Sequence, residues 1–360
     1  VKRLVAALAL SASIAAPGIA AFPAQAVTPA AAANADAGDL APVEAAFQAK
    51  DYEKAFALAK PLAEKGNAKA QVLVATLYNN GVGTQRNTAE AVKWLRKAAN
   101  QGNADGQYAL GLMTRDGIGM KPNAAAGRKL FEAAAAQGHP GGESELGLCY
   151  ATGSGGPQDD ARAVKWLREA TKAGSANGQF YLGALYAAGK GVPQDLKQAA
   201  RLYELAGNQG QPDANYQLGL MLQAGKGVEK NDSVAAIRFK AAARSGSAGA
   251  AAALGYAYYA GTGVEKDPKL AAQWFSLAAS QGVPDAQHRL AQLFYAGEGV
   301  KKDPSAALFW LTLAEKAGIE DKALRDALKP LVSPEEQAKV DAEVARVTGG
   351  KAKPAKKPAH

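Results

Sequence analysis

A period of 36 residues runs without insertion or deletion from Asn67 to Gly318, giving seven copies. No other feature constrains the fold as tightly. A fixed period of this length marks a stack of supersecondary units, each too small to bury its apolar face alone. Three glycine columns are filled in every copy. The first runs from Gly81 to Gly297, the second lies two residues later from Gly83 to Gly299, and the third closes each copy from Gly102 to Gly318. They hold 21 of the 39 glycines, so the glycine content reflects fixed positions in a fold and not a collagen or a flexible chain.

Each copy spells two helices. The first carries apolar or small residues at helical spacing, as in Ala214, Leu218, Gly219 and Leu222, and ends at the first glycine, which suits the left-handed backbone of a C-terminal cap. After the second glycine comes a column of Asn or Asp (Asn87, Asn123, Asp159, Asp195, Asn231, Asp267 and Asp303) whose short acceptors can bond the free amides opening the second helix. Pro268 and Pro304 follow at the first helical position, where proline is tolerated. The second helix shows a buried stripe, for example Ala271, Trp274 and Ala278, and stops at the third glycine.

Small side chains set the expected packing. A second-helix column from Ala98 to Ala314 is alanine throughout, and a first-helix column (Ala70, Gly106, Gly142, Gly178, Ala214, Ala250 and Ala286) holds only alanine or glycine. All four tryptophans, Trp94, Trp166, Trp274 and Trp310, share one second-helix column and are expected to pack between helices. Residues 247–282 carry the full pattern: Ala250, Leu254, Gly255, Tyr258, Gly261, Gly263, Val264, Asp267, Ala271, Trp274, Ala278, Ala279 and Gly282. This pattern resembles the Sel1-like repeat, a relative of the tetratricopeptide repeat with a longer inter-helix loop. The resemblance covers about seven tenths of the chain. Ala75 and Ala291 depart from it at the first-helix glycine, Thr114 and Leu222 at the aromatic, and Arg238 at the tryptophan. It implies an all-α fold: a right-handed α-solenoid of seven 36-residue helix-turn-helix repeats with N- and C-terminal helical caps.

The ends divide as follows. Residues 1–26 have a short basic start (Lys2, Arg3), an apolar stretch and Ala24-Gln25-Ala26, the order of a secretory signal peptide cut after Ala26. The form of this leader points to the periplasm of a Gram-negative bacterium. Residues 27–41 read as an Ala-rich linker, 42–66 as a shortened capping helix pair, 319–348 as two C-terminal capping helices and 349–360 as a basic flexible tail. Six of the basic residues lie in the leader and tail, which reduces the formal +9 to +3 for residues 27–350. No basic stripe on the folded part supports nucleic-acid binding. The Lys-rich tail can make a weak, salt-sensitive contact with anionic membrane or wall polymer.

The chain lacks H-E-x-x-H, G-x-S-x-G and S-x-x-K, and His139, His288 and His360 are scattered. Catalytic, cofactor-binding and metal-binding residues are therefore expected to be none. Cys149, the only cysteine, falls in a column that elsewhere holds Leu77, Met113, Leu185, Met221 and Leu293, and reads as a buried, inert thiol. Some Sel1-like families are cysteine-rich and linked to β-lactam binding or hydrolysis. Their paired cysteines are missing here, which disfavours a β-lactam or wall-peptide hydrolase.

The expected function is a non-enzymatic scaffold, monomeric, that binds a protein or peptide of the cell envelope and can regulate signalling or envelope assembly. Binding to peptidoglycan or anionic lipid is the alternative. In related tetratricopeptide arrays the first helices line a concave groove. Carried over by column, that resemblance marks Tyr108, Arg115, Phe180, Tyr216, Gln223, Tyr256, Tyr259, His288, Gln292 and Tyr295 as partner-binding residues. Tyrosine suits peptide recognition because it joins apolar area to a hydrogen-bonding tip at small entropic cost.

Overall fold

The computed structural model describes residues 40–349, which form eighteen α-helices and one 3-10 turn (Lys329–Leu331), with no strand among the described residues. The leader, nearly all of the Ala-rich linker and the basic tail lie outside the described residues. The fold is an all-α solenoid. It divides into two compact units after Asp195, inside the fourth copy. In the first unit, α1 (Ala41–Gln48) and α2 (Tyr52–Glu64) precede first helices α3 (Ala68–Asn80), α5 (Ala104–Asp116), α7 (Pro140–Thr152) and α9 (Ala176–Ala188). These alternate with second helices α4 (Thr88–Asn100), α6 (Ala124–Ala135) and α8 (Asp160–Lys172). The second unit begins with second helix α10 (Leu196–Asn208). It continues with first helices α11 (Pro212–Ala224), α13 (Ala248–Ala260) and α15 (Pro284–Ala296) and second helices α12 (Asp232–Arg244), α14 (Pro268–Ser280) and α16 (Pro304–Lys316). Helices α17 (Lys322–Leu328) and α18 (Pro334–Val347) close it. Within each unit the helices up to α16 pack each on the next in chain order, and α16 packs on both closing helices.

The punctuation residues act as their chemistry dictates. Gly81 adopts φ +67°, and its amide donates to the Leu77 carbonyl at 2.9 Å. The Asn87 side chain accepts from the Glu90 amide at 3.0 Å, opening α4. Asn123, Asp159, Asn231, Asp267 and Asp303 cap their helices in the same way. Each residue of this column also donates its own amide back to the first helix, Asn87 to Tyr78 at 2.8 Å and Asp303 to Phe294 at 2.9 Å. This bond fixes the loop length and so accounts for a period without insertions.

The first helices are capped as well, by residues whose capping role the pattern did not announce: Asn67, Asn103, His139, Ser175, Gln211 and Ser247. His139 caps through Nδ1, which accepts from the Gly142 amide at 2.9 Å, so the ring proton sits on Nε2, 3.2 Å from Asp105.

The second glycine column holds neighbouring copies in register. A Cβ on Gly83 would lie 2.2 Å from the Tyr52 carbonyl oxygen, and one on Gly263 would lie 2.1 Å from that of Asp232. The loop of each copy thus rests on the first turn of the preceding second helix, with no space for a side chain. The two small-residue columns meet each other: a Cβ on Gly106 would fall 2.8 Å from the Ala98 Cβ, and one on Gly178 would fall 2.6 Å from that of Ala170.

Three of the four tryptophans pack as expected, Trp94 buried and Trp274 and Trp310 half-buried against the apolar core. The deepest ring column, however, is the next residue along. Phe131, Phe239 and Phe275 are fully buried and lie against Gly111, Gly219 and Gly255 of the first helix, where a Cβ would come within 2.5–2.7 Å of the rings. The Ala75 and Ala291 departures belong to copies in which this column carries Leu95 and Leu311, smaller partners in the same core clusters. The extra methyl on one helix is matched by the volume lost from the other.

Candidate binding face of the first helices

The ten expected contact residues separate into distinct environments. In the first unit, Tyr108 is half-buried, its ring 4.7 Å from that of His139, and burial together with Glu145 holds its hydroxyl well above the ordinary tyrosine range. Arg115 donates to Asp116 through Nε (2.7 Å) and Nη2 (3.0 Å), and through Nη1 to Glu145 of the next first helix. Glu145 is buried, and desolvation pushes its carboxyl up despite the guanidinium beside it.

Phe180 corrects the sequence expectation. It is 7% exposed, with its ring 5.3 Å from that of Tyr181. With no hydroxyl to keep in water, it sits in the core and offers no surface to a partner.

In the second unit, Tyr216 is half-buried, its ring 6.0 Å from that of Phe239, and burial raises its hydroxyl. Gln223 is exposed near the end of α11. The remaining five residues lie on α13 and α15, and four of them are drawn into one network. Tyr256, 37% exposed, packs edge-on against Phe275 at 4.8 Å. The Arg289 guanidinium lies 5.6 Å from the Tyr256 ring centre and 5.2 Å from that of Tyr259. Arg289 Nη1 donates to Gln292 Oε1 at 2.8 Å, Gln292 Nε2 lies 3.2 Å from His288 Nε2, and His288 Nε2 lies 2.8 Å from Asp321 Oδ2. His288 and the Leu324 amide hold the Asp321 carboxyl below its ordinary range. Tyr295 follows one turn after Gln292, with Lys302 Nζ 5.4 Å from its ring centre.

Sequence reasoning missed Arg289 and Asp321, which tie this network together. A signal was present: the Arg289 column otherwise holds Leu73, Ala109, Glu145, Tyr181, Gln217 and Ala253, so Arg289 is its only cation. The columns carried over from the tetratricopeptide resemblance leave that one out.

Elsewhere, the Leu222 and Arg238 departures meet at a cavity of about 220 Å³, also lined by Lys197, Arg201, Glu204 and Leu218. It shares no residue with the α13–α15 network. Cys149 is buried, and burial pushes its thiol up to about 11. Among the described residues, no group of three or more His, Cys, Asp or Glu side chains could hold a metal ion, and no helix is long and apolar enough to cross a membrane.

The model of the Sel1 repeat matches eight segments, residues 46–67, 68–103, 104–139, 141–175, 176–211, 212–247, 248–283 and 284–319. The first falls in the region read from sequence as a cap. Among solved structures, a Sel1 repeat protein from Oxalobacter formigenes is 28% identical, with a TM-score of 0.59 over 66% of this chain and 94% of that one. A protective antigen of uropathogenic Escherichia coli displaying an SLR fold is 26% identical over 86% and 85%, with a TM-score of 0.40. Cysteine-rich protein B of Helicobacter pylori is 32% identical over 34% and 93%, with a TM-score of 0.30. No curated protein matches the chain.

Proposed function

Because the chain belongs to the Sel1 repeat family, whose fold is commonly used for protein–protein interaction, we propose that it is a non-enzymatic scaffold that binds an extended protein segment across α13 and α15. The observation carrying this reading is the network itself. Two tyrosine rings, a guanidinium, an amide and an imidazole lie side by side on successive first helices, and Tyr256 is one of the few large apolar-bodied side chains left exposed. Rigid rings flanked by adaptable hydrogen-bonding groups suit recognition of a peptide. The leader-like residues 1–26 support action in the periplasm, where the partner would be an envelope protein and the role regulation or assembly.

A photo-crosslinking residue at position 256 should form a discrete adduct with a protein partner in intact cells. The same residue in place of Gln273, exposed on second helix α14, should not. Equal labelling from both positions, or none from 256, would refute the assignment. Fractionation of the adduct with periplasmic markers tests the compartment.

A further inference from the structure

We propose that the α13–α15 face takes a glutamate side chain of the bound segment onto Arg289, between the Tyr256 and Tyr259 rings. The proposal rests on the reading of this face as the partner site. It comes from comparing one pair of positions in the two units. In the first unit, residues 115 and 145 stand 30 apart on successive first helices as Arg and Glu, and the guanidinium is neutralised within the chain by a buried carboxylate. Four copies later the same pair is Tyr259 and Arg289. A guanidinium is again present at this junction, now at the position that Glu145 holds in the first unit, and the position of Arg115 is taken by an aromatic ring, so the pair contains no carboxylate.

No Asp or Glu among the described residues lies within 4.0 Å of the Arg289 nitrogens. The carboxylate of the network, Asp321, is already engaged, with Oδ2 at His288 and Oδ1 accepting from the Leu324 amide at 3.0 Å. Of the Arg289 donors, Nη1 reaches Gln292, whereas Nε is buried with no acceptor and Nη2 has no protein partner. Arg289 is therefore half-buried, with its Nε shut off from water and no counter-charge, and its guanidinium lies beside two aromatic rings. That arrangement favours a planar carboxylate at the Nη edge, where paired charge-assisted hydrogen bonds form. A glutamate side chain is the source because Glu145 fills this role in cis, from within a continuing chain and not from a chain end.

The test uses the full chain, immobilised, and three pools of N-acetylated nonapeptides of otherwise degenerate sequence. One pool has a central Glu and an amidated C-terminus, the second a central Gln and the same amide, and the third a central Gln and a free C-terminal carboxylate. The Glu pool should be retained about tenfold over the Gln pool, the discrimination typical of one charged hydrogen-bonded contact. In Arg289→Gln the two should become equal at the Gln level, and Arg289→Lys, which keeps the charge without the planar fork, should fall between. Equal retention of the Glu and Gln pools by the native chain would overturn the carboxylate assignment and leave the peptide-binding reading standing. Retention of none of the pools would overturn both. A Glu preference surviving in Arg289→Gln would remove Arg289 from the role, and preference for the third pool over the Glu pool would overturn the side-chain source.

Discussion

Replacing Glu143 with glutamine should stabilise the first unit. First-helix amides in this column clamp the preceding copy. Gln71 Nε2 donates to the Ala63 carbonyl at 3.0 Å, Asn215 Nδ2 to Gly207 at 2.9 Å, and Gln287 Nε2 to Ala279 at 3.1 Å. Each reaches a carbonyl eight residues back, in the last turn of a second helix, where intrahelical donors run out. Glu143 occupies the same column as a carboxylate that cannot donate. It is buried, its Oε2 has no hydrogen-bond partner, and burial together with Glu169 pushes its carboxyl up. A neutral amide removes the buried charge and adds a side-chain donor to the Ala135 carbonyl, which already accepts from the Gly138 amide at 2.9 Å. One regained hydrogen bond contributes about 1 kcal/mol and relief of an unsatisfied buried acceptor about 1–3 kcal/mol, so a net gain of about 1–3 kcal/mol is expected.

Hydrogen exchange of α6–α8 amides measures this without assuming that the whole array unfolds at once; about 1.4 kcal/mol slows exchange from the cooperatively opened state tenfold. The pH dependence identifies the cause. Because the native carboxyl titrates above its unfolded value of about 4.3, the native state holds the extra proton between the two values. Wild-type stability from this group therefore falls as pH rises through that window. The advantage of the glutamine variant should be small near pH 4 and complete once pH exceeds the native value. Glu145, also raised by burial, is common to both proteins and cancels. A gap that does not change from pH 4 to 7.5, or faster exchange in the variant, would refute the reasoning.

Arg115→Met should strand the buried Glu145 charge and destabilise the first unit by about 3–5 kcal/mol at neutral pH. The loss should shrink in acid as Glu145 protonates, read by urea midpoints across pH. Gly255→Ala places a methyl 2.7 Å from the Phe275 ring and should cost about 1–3 kcal/mol of second-unit stability. Combining it with Phe275→Leu, the pairing that Ala291 and Leu311 already use, should restore part of that loss in a double-mutant cycle. Cys149, held up to about 11 by burial, should resist a thiol reagent at pH 8 in the folded chain and react at once in denaturant. Rapid labelling of the native protein would contradict its burial.

The helices, their stops and their second-helix caps were legible in the sequence because each depends on one residue type at one position, read seven times over. First-helix caps were less visible, since Asn, Ser, His and Gln share a function but not an appearance, and Val283 fills the slot with no side-chain bond at all. The period located the Trp94 column but could not reveal that Phe131, one position along, carries the deeper packing. That depends on which side of the second helix meets the Gly111 column. Phe180 shares its column with Tyr108 and Tyr216, and only side-chain placement shows that it turns inward. Arg289 was missed for a different reason: its column carries no shared chemistry, and its importance arises from Tyr256, Tyr259 and Gln292 around it.

The steric stop at the second glycine column bears on how such a chain can change its length. Gly83 abuts Tyr52 and Gly263 abuts Asp232, in each case 31 residues back, while the loop bond from Asn87 to Tyr78 fixes the interval inside a copy. Losing or gaining one residue within a copy would misalign both contacts at once, whereas adding 36 leaves every contact of the same kind intact. Heredity can therefore lengthen or shorten this protein only in whole units, as a crystal grows by whole cells. A duplicated copy inherits its fit to both neighbours, leaving the outward-facing positions of its first helix free to diverge.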